Sequence, residues 1–335
     1  MELMGHKIES IALHLTNECP HACPTCYATD KTKKTEEGDL ETLKKILLEL
    51  KKANIPEVNF VGGDPAAYSK IKELLEYANK LGLSIPILSN THDYKNSSVE
   101  EITPYVSSLE WTVHGPNEKI HDAYCGKEGA FENAIHNLRI YNSMRSENQK
   151  LGIVMNLMRY NHNLLYASVK NVLNQGLPAD YVLIQRIAPF YRGKQFDNTI
   201  YQNEVIAGFE NIKRINEDLG IETIMVDAFP LCMIPEEYHQ YFGKCEWGYS
   251  IGALDFNGNL SRCAMSPVYQ LGNILETPIN EIWENAEMLQ RFRSKEYLDD
   301  ECKQCNQLEK CGGGCPMSCG DENLKSDILL KSKTI

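Results

Sequence analysis

The chain has 335 residues, of which 42% are hydrophobic and 24% charged, so it can bury a large core in one large domain plus a smaller one. Its 34 basic and 46 acidic residues give a formal net charge of -12, which disfavours binding to a nucleic-acid backbone. Its apolar runs are shorter than the roughly 18 residues of a membrane span, and the N-terminus lacks the apolar core of a signal peptide. We therefore expect a cytoplasmic protein that acts on neither nucleic acid nor membrane.

Strand-like and helix-like segments alternate along the first two thirds of the chain. The predicted strands are short apolar runs at 11–16, 58–61, 85–88, 109–114, 153–157 and 181–187. Apolar residues at helical spacing predict helices at 43–50, 71–78, 131–141, 165–173 and 205–219. This alternation predicts an α/β fold of parallel βα units, with right-handed crossovers and with ligands at the carboxyl ends of the strands.

The composition changes after residue 220. One more strand is predicted at 221–229, followed by a hairpin of 251–256 and 260–263 around Asn257-Gly258. A single helix is predicted at 279–292. Most of the chain's 12 cysteines lie in this C-terminal region. In a chain without an export signal, clustered cysteines favour metal binding over disulfides.

Three cysteines near the N-terminus, Cys19, Cys23 and Cys26, have the spacing Cys-x3-Cys-x2-Cys. Thiolates this close can surround one soft metal centre, such as zinc, copper or iron-sulfur iron. They are one ligand too few for a closed tetrahedral zinc or a fully cysteine-bound 4Fe-4S cluster. One metal position would therefore be open to a substrate or cofactor. A zinc knuckle and buried free thiols are the alternatives that the spacing alone leaves open.

This spacing and the segments that follow it resemble those of the radical S-adenosylmethionine (radical SAM) enzymes. The resemblance implies a partial (β/α)6 barrel and a 4Fe-4S cluster on Cys19, Cys23 and Cys26. The open iron of that cluster would bind the methionine moiety of SAM, and an electron from the cluster would cleave SAM to a 5'-deoxyadenosyl radical. Such chemistry implies a low-oxygen setting and a reducing partner such as flavodoxin or ferredoxin.

The loop after the second strand reads VGGDP. Its residues Gly62, Gly63, Asp64 and Pro65 stand where the family has Gly-Gly-Glu-Pro, the motif that holds the methionine amino group. Two glycines also let a backbone approach a ligand closely. Further SAM contacts implied by the resemblance are Tyr27, Ser89, Asn90, Asn156 and Arg186. A strand-end turn is the alternative for Ser89 and Asn90, and a structural or solvated arginine is the alternative for Arg186.

The C-terminal cysteines are arranged as Cys-x12-Gly-x4-Cys, then Cys-x2-Cys-x5-Cys-x3-Cys, then one more cysteine. Together with the turn at 272–274 and the CGGGCP segment, they resemble the SPASM extension of radical SAM enzymes that modify peptides and proteins. The resemblance implies two auxiliary 4Fe-4S clusters, and so three clusters in all. The first would be held by Cys245, Cys263 and Cys315, and the second by Cys302, Cys305, Cys311 and Cys319. Two zinc sites are the alternative.

We divide the chain into a barrel, 1–228, and a bridging segment with the SPASM domain, 229–335. Two further cysteines lie outside the predicted cluster sets. Cys125 is either a small buried residue or a donor of a hydrogen atom to a substrate radical. Cys232 lies 13 residues before Cys245, and three interpretations of it are open. It completes the first auxiliary set, or it faces the barrel cavity as a hydrogen-atom donor, or it is buried without function.

These features predict an enzyme that takes a hydrogen atom from a ribosomally made precursor peptide or a protein side chain. The product would be a crosslinked, oxidised or epimerised residue. Only 18 residues precede Cys19, so we expect a leader peptide to bind the barrel, the C-terminal domain or a separate protein. An anaerobic sulfatase-type maturase, a tetrapyrrole-processing enzyme and a non-catalytic metal-binding scaffold are the alternatives.

Overall fold

The computed structural model describes residues 6–28, 34–91, 94–187, 189, 191–194, 200–243, 245–265, 270–319 and 324–331. In these parts of the chain, ten strands form a single sheet. The strands are β1 (Ser10–His14), β2 (Glu57–Val61), β3 (Pro86–Ser89), β4 (Ser108–Thr112), β5 (Lys150–Leu157), β6 (Tyr181–Arg186), β7 (Thr223–Met225), β8 (Ile251–Leu254), β9 (Asn259–Ser261) and β10 (Gln270–Asn273).

Helices connect the strands and continue into the C-terminal region. Within the described ranges they are α1 (Leu40–Lys52), α2 (Ile71–Lys80), α3 (Val99–Ile102), α4 (Glu118–Cys125), α5 (Ala130–Met144), α6 (Leu165–Asn174), α7 (Gln202–Leu219), α8 (Ile279–Asn285), α9 (Glu287–Ser294), α10 (Asp300–Lys303), α11 (Leu308–Cys311) and α12 (Ile328–Lys331). None of the described helices is both long and apolar enough to cross a membrane.

Strands β1 to β7 are parallel and lie in sequence order, which confirms the predicted α/β fold of βα units. On its other side β1 pairs in parallel with β8, and β8, β9 and β10 are antiparallel. The hairpin expected around Asn257-Gly258 is the β8–β9 pair. Both sides of the boundary predicted at residue 228 therefore contribute strands to the same sheet, and the boundary itself stays a prediction.

The two faces of the parallel strands carry different kinds of side chain. Phe60 and Trp111 are completely buried in the main apolar cluster. Their neighbours Val61 and Thr112 line a cavity on the opposite face. Because successive side chains of a strand point to opposite faces, large apolar residues meet the helices and smaller or polar residues line the inside of the barrel.

Helix α1 illustrates how the helical spacing read from the sequence becomes packing. Its first turn is capped by Asp39, whose carboxylate accepts a hydrogen bond from the Thr42 N–H at 2.9 Å. The residues at the predicted apolar positions are all fully buried, namely Leu43, Ile46, Leu47 and Leu50. The opposite face carries lysine and glutamate, so one stripe of the helix seals the outside of the sheet.

Three predicted elements differ from the structure. The segment 279–292 forms two helices, because Ala286 has an extended backbone (φ -62°, ψ 118°) that separates α8 from α9. The strand predicted at 221–229 is shorter and ends at Met225, the last residue of β7. Beyond that point the backbone N–H of Arg186 on β6 donates to the Asp227 carboxylate at 2.6 Å instead of to a backbone carbonyl. The turn expected at 272–274 belongs mostly to β10, which pairs with β9.

Candidate functional site

The N-terminal cysteines lie in the loop that follows β1, at the carboxyl end of the parallel strands. The loop starts at Thr16, whose hydroxyl donates to the Glu36 carbonyl at 2.9 Å and accepts from the Glu18 N–H at 3.0 Å. All three cysteines are free thiols that line one cavity in the mouth of the barrel. The loop therefore brings three potential ligands for one metal centre to the open end of the fold.

Gly62 and Gly63 lock this cysteine loop against the end of β2. The Gly63 N–H donates to the Thr16 carbonyl at 2.7 Å, and the next N–H donates to the Glu18 carbonyl at 2.7 Å. A Cβ on Gly62 would stand 2.5 Å from the Thr16 carbonyl oxygen, and one on Gly63 would overlap the Glu18 carbonyl. Both glycines also line the cavity. The Gly-Gly pair therefore fixes the position of the cysteine loop and also forms part of the cavity wall.

The carboxylate of Asp64 braces the ends of β2 and β3. It is 1% exposed and accepts hydrogen bonds from the Ser89 hydroxyl at 2.7 Å, the Ala66 N–H at 3.0 Å and the Asn90 N–H at 3.1 Å. Burial raises the pKa of this carboxyl. Asp64, Pro65 and Ser89 are not among the described residues that line the cavity. They support the wall, whereas Asn90 belongs to it.

A second set of contacts holds the cysteines from the side of α4. The ligand atoms of His21, Cys23 and Cys125 lie within 4.8 Å of one another. A hydrogen bond from Cys125 lowers the pKa of Cys23 well below its usual range and raises that of Cys125. His114 Nε2 is 4.0 Å from the Cys23 sulfur. Cys125 is fully buried and outside the described cavity lining, which is the placement of a thiol that supports the loop.

The cavity encloses about 880 Å3 of space, part of it open to solvent. Residues expected to contact SAM that do line it are Tyr27, Gly62, Gly63, Asn90, Asn156 and Arg186. Sequence reasoning missed Tyr124, whose ring packs on His114 with centroids 4.4 Å apart and on Tyr160 at 5.2 Å. The one sequence feature that could have marked Tyr124 is that an aromatic residue directly precedes Cys125. Met265 was also missed, two residues after a predicted cluster ligand.

Arg186 reaches the cavity from the end of β6, but its charge is already paired. Its guanidinium donates to both carboxylate oxygens of Asp327, at 2.5 and 3.0 Å, and the two residues are 5% and 0% exposed. Although burial alone would lower it, Asp327 raises the pKa of Arg186. The same carboxylate accepts the N–H groups of Cys315 at 2.8 Å and Leu329 at 2.9 Å. The pair therefore ties the barrel to the C-terminal region.

The first auxiliary set gathers beside the cavity. Burial raises the pKa of each thiol of Cys245, Cys263 and Cys315 to about 12. The buried carboxylate of Asp227 acts electrostatically on all three thiols, and burial raises its own pKa to about 6. Asp227 was not predicted, since nothing in its local sequence marks it. Three soft thiolates in one buried place fit an iron-sulfur cluster.

Tyr27 connects this set to the barrel cavity. It lines the cavity and also packs against the small apolar cluster that contains Cys263, Met265 and Met317. Its neighbour in sequence, Cys26, is a member of the N-terminal set. The side chain of Tyr27 therefore borders both the cavity of the N-terminal cysteines and the apolar cluster of the first auxiliary set.

The second auxiliary set surrounds another, apolar cavity. Cys302, Cys305 and Cys311 line it on α10, α11 and the turn between them, and the fourth cysteine there is Cys232. Burial raises the pKa of Cys302, with smaller contributions from the neighbouring thiols. Cys232, which is exposed, lies beside these three cysteines and not among the described residues that line the barrel cavity, because the turn after β7 packs on α11. Its role stays a prediction. The side chain of Cys319 lies outside the described part of the structure.

Comparison with protein families agrees with this geometry. Residues 13–162 match the radical SAM superfamily, and residues 245–306 match SPASM, an iron-sulfur cluster-binding domain. The chain contains a radical SAM domain and a SPASM domain. It is accordingly an enzyme whose cofactors include iron-sulfur clusters and SAM.

Several curated proteins resemble this radical SAM enzyme over most of its length. It is 24% identical over 323 residues to an AdoMet-dependent heme synthase of Oleidesulfovibrio alaskensis, covering 90% of this chain and 81% of the relative. It is 22% identical over 328 residues to the PqqA peptide cyclase of Bradyrhizobium diazoefficiens, covering 91% and 80%.

Solved structures share its fold. SuiB of Streptococcus suis, bound to its precursor peptide SuiA, aligns with a TM-score of 0.76 at 15% identity, covering 96% of this chain and 75% of SuiB. anSMEcpe, bound to AdoMet and a peptide, aligns with a TM-score of 0.70 at 14% identity, covering 97% and 94%. At these identities the likeness establishes the radical SAM fold of the chain.

Proposed function

We propose that this chain is a peptide-modifying radical SAM enzyme with three 4Fe-4S clusters. The observation that carries the proposal is one cavity onto which the cysteine loop, the Gly-Gly pair and polar residues of the strand ends converge, beside the first auxiliary set. A peptide substrate is supported by the peptide complexes of SuiB and anSMEcpe and by the named activity of the PqqA peptide cyclase.

The residues of the cavity have separable tasks in this proposal. Cys19, Cys23 and Cys26 hold the cluster that, when bound, supplies the electron for cleaving SAM into methionine and a 5'-deoxyadenosyl radical. Gly62 and Gly63 offer bare backbone to the methionine amino group. Asn90 and Asn156 offer polar groups at the strand ends to the rest of SAM. A separate reductant such as flavodoxin or ferredoxin delivers the electron.

Asn90 has a second task. Its side-chain N–H donates to the Cys19 sulfur at 3.3 Å. A hydrogen bond to a ligating sulfur stabilises the added negative charge of a reduced cluster and so tunes its potential. Asn90 therefore eases the reduction that starts the reaction.

Aromatic side chains shield the cavity from water. Tyr124 stands between His114 and Tyr160, and its hydroxyl hydrogen-bonds the Thr25 hydroxyl. Tyr160 in turn donates to the His114 carbonyl at 2.9 Å. This aromatic packing keeps water from one side of the cavity, which limits the side reactions of a radical with solvent.

An oxidised or crosslinked product is favoured over an epimerised one. Among the described residues, neither Cys125 nor Cys232 lines the cavity, so neither thiol is placed to return a hydrogen atom to a substrate radical. The first auxiliary set, by contrast, adjoins the cavity through Tyr27 and Met265. Of the two auxiliary sets, the first is the one that adjoins this cavity, so it is the acceptor for the electron that is released when an oxidised product forms.

The test begins with anaerobic reconstitution, which should give about 12 irons per chain for three four-iron clusters. With a reductant and SAM, the enzyme should form 5'-deoxyadenosine. A precursor peptide co-expressed with the enzyme should lose two hydrogen atoms by mass spectrometry. Unchanged peptide mass with deuterium uptake from heavy water would indicate epimerisation instead. Zinc without iron would support the scaffold alternative and defeat the proposal.

A tetrapyrrole substrate is the second candidate, because one of the similar curated proteins is a heme synthase. Tetrapyrroles carry carboxylate side chains, which need free cationic partners in the cavity. Two described arginines line the cavity, Arg186 and Arg192, and Arg186 is paired with Asp327. The preference for a peptide therefore rests on the peptide complexes of the similar structures. Turnover of an iron-containing tetrapyrrole, with no turnover of any peptide, would reverse this preference.

A further inference from the structure

Four cysteines surround the apolar cavity in the C-terminal region. The resemblance to the SPASM extension implies that Cys302, Cys305 and Cys311 hold one cluster, whereas Cys232 comes from the turn that follows β7. The cavity as a whole encloses about 510 Å3, part of it open to solvent. The other residues lining it are mostly apolar, namely Pro230, Leu231, His239, Gln307, Leu308 and Leu330.

Specific contacts hold the Cys232 turn against the helix that carries Cys311. The Leu231 N–H donates to the Cys311 sulfur at 3.4 Å, and that sulfur lies 4.0 Å from the Phe229 carbonyl. His239 Nε2 braces the turn from the other side, at 3.2 Å from the Leu231 carbonyl. The position of Cys232 is therefore built into the fold. A backbone N–H directed at a cysteine sulfur is also a contact that tunes iron-sulfur sites.

The chain crosses between the two auxiliary sets within a short glycine segment. Residues 312–314 are glycines with φ of 68°, 82° and 80°, a conformation that favours glycine, and they lead from Cys311 in the second set to Cys315 in the first. The next segment, Pro316–Cys319, is one 3-10 turn without glycine. At a rise of about 2 Å per residue, the Cys319 backbone is within roughly 8 Å of that of Cys315. It therefore stays close to the first set.

We propose that Cys232, and not Cys319, is the fourth ligand of the second auxiliary cluster. That cluster would then be held by Cys232, Cys302, Cys305 and Cys311. Four thiolates give a closed shell without an open iron, which suits electron transfer and excludes direct binding of substrate. The inference rests on the proposed function, since the three-cluster enzyme supplies the second auxiliary cluster.

The test uses the full chain with Cys19, Cys23 and Cys26 replaced by alanine, so that only auxiliary clusters assemble. This parent should bind about 8 irons. Adding Cys232→Ala should remove the second cluster, leaving about 4 irons, or leave about 8 irons with a three-thiolate cluster whose electron paramagnetic resonance spectrum differs from that of the parent. The matched control Cys319→Ala should keep about 8 irons and the spectrum of the parent. Unchanged iron together with an unchanged spectrum in the Cys232→Ala protein, or iron loss in the Cys319→Ala protein, would overturn the inference alone. A parent with about 4 irons would overturn the three-cluster count as well.

A second variant separates ligation from folding. Cys232→Asp offers an oxygen ligand in place of the thiolate, so it should retain about 8 irons. It should also change the electron paramagnetic resonance spectrum of one reduced cluster. If Cys232→Ala empties both auxiliary sites, this variant decides the question. A spectrum identical to that of the parent would show that residue 232 does not touch the cluster.

Discussion

Asn90 illustrates how a single amide connects a strand end to a metal ligand. Its backbone N–H donates to the Asp64 carboxylate, and its side-chain N–H donates to the Cys19 sulfur. The residue is therefore oriented before any cofactor binds. A hydrogen bond of this kind to a charged group contributes about 1.5–3 kcal/mol.

We expect Asn90→Ala to lower the reduction potential of the SAM cluster, because the added electron loses a stabilising N–H. The rate of reductive SAM cleavage should fall about tenfold or more, which corresponds to about 1.4 kcal/mol. The measurements are 5'-deoxyadenosine formation and iron content, and iron should be unchanged. Asn79→Ala, on the exposed face of α2, is the matched control. An unaltered cleavage rate in Asn90→Ala would show that the bond to Cys19 is not functional.

Ionisation of Glu110 inside the barrel makes the free energy of unfolding depend on pH. It accepts a hydrogen bond from the Tyr181 hydroxyl at 2.6 Å, across Gly152, where a Cβ would stand 2.6 Å from the tyrosine ring. Burial raises the pKa of Glu110 to about 7. The unfolded chain releases this proton near 4.5 and the folded chain near 7. The contribution of Glu110 to the free energy of unfolding therefore falls as pH rises between these values.

Glu110→Gln should remove this penalty while its amide oxygen still accepts from Tyr181. We expect the variant to be about 2 kcal/mol more stable than the parent at pH 8 and nearly equal to it at pH 5. Thermal unfolding at both pH values measures this, with the exposed Glu147→Gln as control. Equal stabilisation at both pH values would mean that ionisation is not the cause.

At the scale of elements, β6 and the C-terminal helix are joined by one buried ion pair. Arg186 lies at the end of β6, and Asp327 directly precedes α12 and also accepts the Cys315 N–H. The guanidinium stacks on the Phe229 ring at 4.4 Å as well. Removing one partner of such a pair leaves an uncompensated buried charge.

Asp327→Asn should therefore destabilise the enzyme by about 3–5 kcal/mol. The matched control is Asp218→Asn on α7, since Asp218 pairs with Arg214 at 3.8 Å with both side chains about half exposed. This surface change should cost less than about 1 kcal/mol. Denaturant unfolding of both variants gives the comparison. Similar losses in the two would show that Arg186 finds water or another partner.

The contact between the β1 and β2 loops makes a second prediction at this scale. Gly63→Ala inserts a Cβ into the Glu18 carbonyl, so the cysteine loop must move. Iron should fall from about 12 to about 8 per chain, because only the SAM cluster depends on that loop. Gly220→Ala is the control, since its Cβ would enter open space even though its φ of 67° strains an alanine backbone. Full iron in Gly63→Ala would contradict the packing argument.

At the scale of the whole molecule, the C-terminal region completes the barrel sheet. Strand β8 pairs along β1, so removing it would expose the hydrogen-bonding edge of a strand whose Ile11 and Leu13 are fully buried. An exposed strand edge invites aggregation. It would also leave Arg186 without Asp327.

We therefore expect the fragment 1–228 to aggregate when it is produced alone. Size-exclusion chromatography and circular dichroism of the fragment, beside the full chain under the same anaerobic conditions, measure this. A monodisperse fragment with the spectrum of a folded α/β protein would show that the predicted boundary separates two independent folding units.

Local patterns predicted most of the framework. The apolar spacing of α1 and the short apolar runs of β2 and β4 are short-range properties, so they could be predicted without knowledge of tertiary contacts. The break in the helix at Ala286 could not be predicted from the sequence, because the apolar spacing continues through it. The packing of the two short helices decides the geometry there. The early end of β7 depends on Asp227 binding an N–H 41 residues away.

The cysteine spacings, together with the Gly-Gly-Asp-Pro loop and the CGGGCP segment, indicated the family from the sequence, because cysteines close together in one loop can surround a single metal centre. Only the tertiary structure decided the partners of residues that are far apart along the chain. It buried Cys125 behind Cys23, paired Arg186 with Asp327 141 residues away, and brought Cys232 to the second auxiliary set. Such contacts follow from how the sheet and its loops pack, and a linear pattern contains no record of that packing.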